Sequence, residues 1–403
     1  MNVKTLTAAI LDKMPEINKW QRDFLIENFD LQCRMRGRHN FLNMSRYSDL
    51  NESTFRENYG RNFDFVAFNR QLIDQFCSKE CGIAFDPSYI SKSGKHTPGN
   101  GYFWSGCAGK KKWGIEIGGF AAIDIPNNTA MHITADQTLT ADEYPSLLTY
   151  YRALVCLHSK QLKGISKYLI VDAYFSKEPF INKVCQTGLE VITRLRNDSV
   201  LFYPYAGPHP KRKGAKTKYL GRMNAKELDH AYFTCCVKEA DFCIYEATLY
   251  SKALKRKINV AVKHNFDKKG AIKSYQIYCS TDLSLSGAEI YVLYKTRFQI
   301  EFLFRDAKQF VGLEHCQSRS ESKLHFHFNT ALTTVSLVKA IYHLTVPIDQ
   351  RKSFSMADIK TQYFNEHMVD LIICECGINP HLPKIKAIRN KIIDFGKINL
   401  CRA

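Results

Sequence analysis

Residues 167–172, KYLIVD, form an unbroken apolar run that ends on a carboxylate. A strand of alternating character can lie half in water, but a continuous one has to be covered on both faces. The chain must therefore supply a sheet with helices above and below it. A helix over about 142–160 precedes the run, a second near FSKEPFINKV (175–184) follows it, and LEVITRL (189–195) is the next strand. Upstream, GIAFD (82–86), WGIEIGGFAAID (113–124) and TAMHITAD (129–136) read as three more strands. Those three suit an antiparallel meander, and the later two require crossover connections. The expected fold class is α/β, a mixed sheet with helices on its faces.

The remaining segments have other periods. Residues 1–78 read as helices, with Trp20, Phe24, Leu25 and Phe29 at helical spacing. FLNMSRYS (41–48) and NESTFRENYG (51–60) predict two short helices across a tight break, the second capped by Asn51 and closed by Gly60. The pair fits a helix-turn-helix with Arg46, Ser53, Thr54 and Arg56 along its reading side, and it fits a plain helical bundle equally well. A third helix, FVAFNRQLIDQF, follows. Residues 92–112 predict a polar loop, and Trp104 and Trp113 are expected to pack in the core. Short β-like runs fill 196–280. GAEIYVLYKTRFQIEFLFRDAKQFVGL predicts one helix over Ser286–Val311, with Ser286 and Glu289 at capping-box spacing. LHFHFNTALTTVSLVKAIYHL is a further helix, with His325 and His327 as packing residues, and two or three more follow Pro347.

Charge narrows the function. Lys and Arg total 57 against 39 Asp and Glu, a net of +18. An excess of this size favours a polyanionic partner, nucleic acid before membrane. Residues 196–222 carry +6 and residues 251–273 carry +7, with tyrosines interleaved, which suits a surface that tracks phosphates. Lys211, Arg212, Lys213, Lys216 and Lys218 lie in a Pro/Gly loop of the first cluster and are expected to follow a DNA backbone. The 14 cysteines include no C-x-x-C pair, so reduced thiols are expected rather than a zinc site or a disulfide framework. No apolar run approaches the length of a membrane span. Asp12 and Pro15 interrupt the only early apolar stretch, so a secretory leader is not expected.

Tyr294, Arg297, Glu301 and Lys308 follow one another at +3, +4 and +7, steps that return to nearly one face of a helix. Asp86 and Asp172 each close an apolar strand, where α/β folds place their sites. Asp124 and Asp136 also lie at or near strand ends; Asp86 is preferred because its strand comes first and a Lys/Gly-rich loop follows. Two aspartates and a glutamate form a hard-oxygen set suited to Mg²⁺ or Mn²⁺.

These residues resemble a known family. Tyr294-x₂-Arg297-x₃-Glu301-x₆-Lys308 is similar to the Y-R-E-K signature of DDE transposases in the insertion-sequence-four group, cut-and-paste enzymes of bacterial insertion sequences. A given start position matches by chance on the order of once in 10⁵. VDAYFSK resembles the family's second-aspartate motif and FDPSYISKSGKHT its first. The gap of 129 residues from Asp172 to Glu301 suits a β-rich insertion before the glutamate helix of a ribonuclease H-like core. The resemblance implies Asp86, Asp172 and Glu301 as catalytic ligands of two divalent ions, and Tyr294, Arg297 and Lys308 as contacts to DNA phosphates. Residues 1–78 would be a helical DNA-binding domain, with Arg46 and Arg56 on DNA. Residues 79–195 and 281–345 would be the two parts of the catalytic core, 196–280 the basic insertion, and 346–403 a C-terminal helical region. The implied protein cleaves double-stranded DNA at terminal inverted repeats and joins the 3′-hydroxyl to a target, as a homodimer on paired ends. It would work in the bacterial cytoplasm on the nucleoid, without membrane contact. A metal nuclease of the same fold and a catalytically dead DNA-binding derivative are the rival expectations.

Overall fold

The computed structural model describes residues 1–138, 144–205, 207 and 219–398. Five helices open the chain: α1 (Val3–Leu11), α2 (Lys19–Arg34), α3 (Phe41–Arg46), α4 (Glu52–Asn58) and α5 (Phe65–Phe76). Each begins at an Asn or Asp whose side chain accepts from the backbone N–H three residues on, so one otherwise unpaired donor is satisfied at every start. Next come β1 (Cys81–Ser91), β2 (Gly101–Ser105), β3 (Lys110–Asp124), β4 (Thr129–Gln137), α6 (Leu147–Ile165), β5 (Tyr168–Val171), α7 (Glu178–Cys185) and β6 (Glu190–Leu195). The β-rich stretch holds β7 (Leu201–Pro204), β8 (Tyr219–Arg222), β9 (Thr234–Lys238), β10 (Phe242–Ser251), β11 (Arg256–Phe266) and β12 (Ile272–Ser280). Five more helices follow: α8 (Gly287–Thr296), α9 (Gln299–Phe310), α10 (Glu321–Thr345), α11 (Met356–Glu375) and α12 (Pro383–Ile393).

The described strands form one mixed sheet in the order β2-β3-β1-β5-β6-β12-β11-β10-β7-β8, with β4 on β3 and β9 on β10. β1 and β3 are antiparallel, as are β3 and β4, so the expected meander is present. β1, β5 and β6 run parallel, joined by the crossovers that KYLIVD demanded. β12 pairs antiparallel with β6, so the later strands extend the same sheet. α6 packs Leu154 over Gly118 on one face, and α9 sets Phe304 over Gly119 on the other. No helix among the described residues is long and apolar enough to cross a membrane. The thirteen described cysteines are all free.

Three expectations are corrected here. The stretch from Lys92 to Lys112 is no loop throughout: β2 and the start of β3 pair within it, Tyr102 opposite Trp113 and Trp104 opposite Lys111. β1 ends at Ser91, level with Gly114, so the ribbon beyond has no third strand to cover it. Trp104 is accordingly 60% exposed and Trp113 37% exposed, rather than packed in the core. The helix expected over Ser286–Val311 is broken into α8 and α9.

The outer edge of β4 is closed by a side chain. Asn329 of α10 is fully buried, accepts from the Ala135 N–H at 2.9 Å and donates to the Ala135 carbonyl at 2.9 Å, as a neighbouring strand would. His132 Nε2 lies 2.9 Å from the same Asn329 oxygen. Asn329→Ala strands these groups away from water, and we expect it to destabilise the fold by about 3 kcal/mol. Urea unfolding monitored by circular dichroism checks this; a midpoint equal to that of the unaltered chain counts against the role.

Candidate active site

β1 and β5 lie side by side, with Ile83 beside Leu169 and Ala84 beside Ile170. Carrying that register two residues further sets Asp86 level with Asp172, roughly 5 Å apart between backbones. Asp172 also starts a single 3₁₀ turn, Ala173–Phe175: its side chain accepts from the Tyr174 N–H, and its carbonyl accepts from the Thr193 hydroxyl at 2.9 Å. Its position is therefore held from both β5 and β6.

The glutamate reaches this point because α8 and α9 are separate helices. The Thr296 hydroxyl donates back to the carbonyls of Val292 at 3.1 Å and Leu293 at 3.0 Å, a bond that bends helices. The ladder then tightens to i→i+3 steps, from Arg297 to Tyr294 at 3.2 Å, Ile300 to Arg297 at 3.1 Å and Glu301 to Phe298 at 3.0 Å. α8 lies over β5, β6 and β10–β12, and α9 over β1, β3 and β4, so the break sits above the junction of β1 and β5. Gly119, the partner of Asp86 on β3, permits the close seat of α9: a Cβ there would lie 2.6 Å from the Phe304 ring. The four signature residues do not share one continuous helix face. Tyr294 lies in the last turn of α8, Arg297 stands at the break, and Glu301 and Lys308 lie on α9.

Arg297 is the hub. Its side chain is 12% exposed; Nη2 donates to Glu301 Oε1 at 2.9 Å, and Nη1 stands 3.6 Å from Asp86 Oδ1. Nη1 is buried without a hydrogen-bond partner, and the guanidinium carbon lies 5.9 Å from the Tyr294 ring centre. One guanidinium thus faces several carboxylates. The Asp86 carboxyl is pushed up to about 7, first by burial and then by the nearby Glu301 and Asp172 charges, with Arg297 pulling the other way. Burial also raises the Tyr294 hydroxyl. Among the described residues no three His, Cys, Asp or Glu side chains form a metal-binding group, and Arg297 lies between Asp86 and Glu301.

The competing aspartates are engaged elsewhere. Asp124 accepts from Ser78 and Asn127, and Asp136 pairs with His158 at 2.9 Å. Of the three candidates for the first aspartate, Asp86 is the one brought to Arg297.

Residues 122–337, more than half of the chain, match the family model of the transposase DDE domain. The chain belongs to the DDE transposase family. The matched stretch contains Asp172 and Glu301 and begins after Asp86. No curated protein matches the chain. Among solved structures it is similar to the piggyBac transposase in its synaptic complex with hairpin DNA, studied by cryo-EM, at 13% identity over 97% of this chain and 81% of that one, with a TM-score of 0.39. That likeness is too loose to transfer residues.

The other expected DNA contacts of this DDE transposase are scattered. The Lys308 ammonium donates to the Tyr89 carbonyl at 2.6 Å and lies 3.7 Å from Glu314, while burial lowers its pKa. It therefore ties α9 to β1 three residues beyond Asp86. Arg46 and Arg56 are both exposed on the N-terminal helices, where Arg56 pairs with Glu52 one turn away. α3 and α4 do form, and Phe55 within α4 and Tyr59 at its end pack against Phe24 and Phe326, in the same core as the sheet. Lys211, Arg212, Lys213, Lys216 and Lys218 lie outside the described residues. His327 is buried as expected, whereas the His325 side chain is 42% exposed, 3.7 Å from Asp136. What sequence reasoning missed is the exposed aromatic face of the β2–β3 ribbon; the alternation Tyr102-Phe103-Trp104-Ser105 was its signal.

Proposed function

We propose that this protein is a cut-and-paste DNA transposase: it binds terminal inverted repeats, cleaves them with metal-activated water and joins the 3′-hydroxyl to target DNA. The observation that carries the proposal is the meeting of Asp86 and Glu301 on Arg297, with Asp172 beside them. The strand order β4-β3-β1-β5-β6 supports a ribonuclease H-like core. DDE transposases depend on divalent metal. Asp86, Asp172 and Glu301 would hold it: their donors are all hard oxygen, which suits Mg²⁺ or Mn²⁺ and as many as two ions. When bound, the metal supplies the activated water and steadies the leaving oxygen. The protein's own part is positioning. Asp172 is fixed by its turn, Glu301 by the seat of α9, and Arg297 can release its carboxylates to grip a phosphate with both arms of its fork. Tyr294 would contact a neighbouring phosphate, and Lys308 would do so on release from Tyr89 and Glu314. The N-terminal helices with Arg46 and Arg56, and the basic stretch within 196–280, bind the end DNA. Joining two ends calls for two such sites, hence a homodimer on paired ends, acting on the nucleoid in a bacterial cytoplasm.

The deciding experiment incubates the protein with a donor carrying the inverted repeats that flank its gene, plus a target plasmid and Mg²⁺. Joined donor–target products are expected. Cleavage without joining would leave a nuclease of the same fold, and binding without cleavage a dead derivative.

Salt gives a second check. Neutralising Lys211, Arg212 and Lys213 together should lower the slope of log affinity against log salt by about one per lost phosphate contact. An unchanged slope in filter binding would move the DNA path elsewhere.

A further inference from the structure

β2 and the first residues of β3 form a two-stranded ribbon that continues past Ser91, the last residue of β1. It projects at the carboxyl end of β1, the same end of the parallel pair at which Asp172 follows β5. Five residues separate Asp86 from the ribbon's base and three more reach Trp104, so the ribbon runs from roughly 17 to 27 Å from Asp86. Its base is tied to the site. The Tyr89 hydroxyl donates to the Trp113 carbonyl at 2.6 Å, and Lys308 donates to the carbonyl of the same Tyr89.

The two faces of the ribbon differ. Phe103 is 4% exposed and anchors one face. Cross-strand partners share a face, so Tyr102 and Trp113, with Trp104 and Lys111, make up the other. Tyr102 is 68% exposed, and its ring meets that of Trp113 edge-on at 5.4 Å. Two large apolar rings held this far into water on a two-stranded ribbon contribute nothing to the core. Around them, residues 92–113 carry five lysines and no acid, and Lys95, Lys110, Lys111 and Lys112 are exposed. No ion pair engages these four among the described residues.

We propose that this ribbon is a second DNA-binding element, which stacks unpaired bases on Trp104 and Tyr102 while its lysines follow the adjoining phosphates. It deepens the transposase reading and rests on it for the identity of the nucleic acid. Charge complementarity selects a polyanion. The flat rings select within that class: paired bases show their π-faces to each other, whereas an unpaired strand offers one π-face per nucleotide. The ribbon thus suits the opened or single-stranded DNA flanking a cleavage site, and the lysines alone would suit any duplex.

The test compares Trp104→Ala, Trp104→Phe and the unaltered protein by fluorescence anisotropy, on a labelled dT strand of about 12 nucleotides and on a duplex of the same length. Loss of one stacked base weakens binding by about tenfold or more. We expect that loss for W104A on the single strand, a change within about twofold on the duplex, and recovery in W104F. The ring is exposed, so the fold should survive, and an unchanged thermal midpoint checks it. Equal loss on both DNAs, or none, overturns the proposal. So does a change in sedimentation without DNA, which would mark the ribbon as a contact between copies of the chain. If W104A binds and cleaves as the unaltered protein does, the ribbon proposal alone falls. If the unaltered protein binds neither DNA, the transposase reading falls with it.

Discussion

Glu301→Gln is expected to abolish cleavage of end DNA while leaving end binding within about twofold. The amide matches the carboxylate in size, and its oxygen can still accept from Arg297 Nη2, so the seat of α9 is kept. What is lost is one negative charge from the set facing the cation. Removing about 4 kcal/mol of transition-state stabilisation from a metal-assisted reaction slows it on the order of a thousandfold. Binding draws on lysines and arginines spread over the chain, which the substitution leaves untouched. Asp172→Asn should behave alike, because its remaining carbonyl oxygen can still accept from the Tyr174 N–H. End-labelled DNA resolved on denaturing gels reads cleavage, and gel shift reads binding. Full cleavage by E301Q in Mg²⁺ would remove Glu301 from the site.

Arg297→Ala should act in two opposite directions. Without DNA, the guanidinium lies between Asp86 and Glu301, where it competes with any cation those carboxylates could hold. A charge-assisted hydrogen bond contributes about 1.5–3 kcal/mol, so its removal should tighten Mn²⁺ binding by about tenfold or more. The measurement belongs at a pH above 8. Asp86 already titrates near 7, and loss of Arg297 raises it further, so at neutral pH protons would compete with the metal. With DNA, the same substitution removes the bidentate grip on phosphate, and the paired-end complex and cleavage should weaken together. Arg297→Lys keeps the charge without the fork, so it should hold Mn²⁺ affinity low while still impairing the paired-end complex. Isothermal titration with Mn²⁺ and gel shift on paired ends read the two effects separately. Unchanged Mn²⁺ affinity in R297A would mean that the guanidinium does not hold the carboxylates, and normal paired-end complexes would mean that it does not hold the phosphate.

Much of the architecture is legible in one dimension. KYLIVD demanded a covered strand, and β5 is central in the sheet, between β1 and β6. The capping box at Ser286 and the Asn51 cap are present as their spacing implied, because a cap is a bond between residues three apart and needs no distant partner. Asp86 and Asp172 stood out because each is an acid that closes an apolar run, and Glu301 because of its helical spacing from Tyr294, Arg297 and Lys308.

Other features depended on contacts between distant segments. The break between α8 and α9 was hidden, since Tyr294 through Glu301 carries no Gly or Pro, and only the seats over Gly119 and across β5 show why the path must bend. Lys308 was expected on a DNA phosphate, and the fold sets the Tyr89 carbonyl and Glu314 against it. Trp104 and Trp113 read as core until the register ended β1 at Ser91 and left the ribbon uncovered. Periodicity and capping are local and report which side of one element is buried. Which elements become neighbours, and therefore which cation stands between Asp86 and Glu301, is decided by pairings across tens to hundreds of residues that only the folded chain brings together.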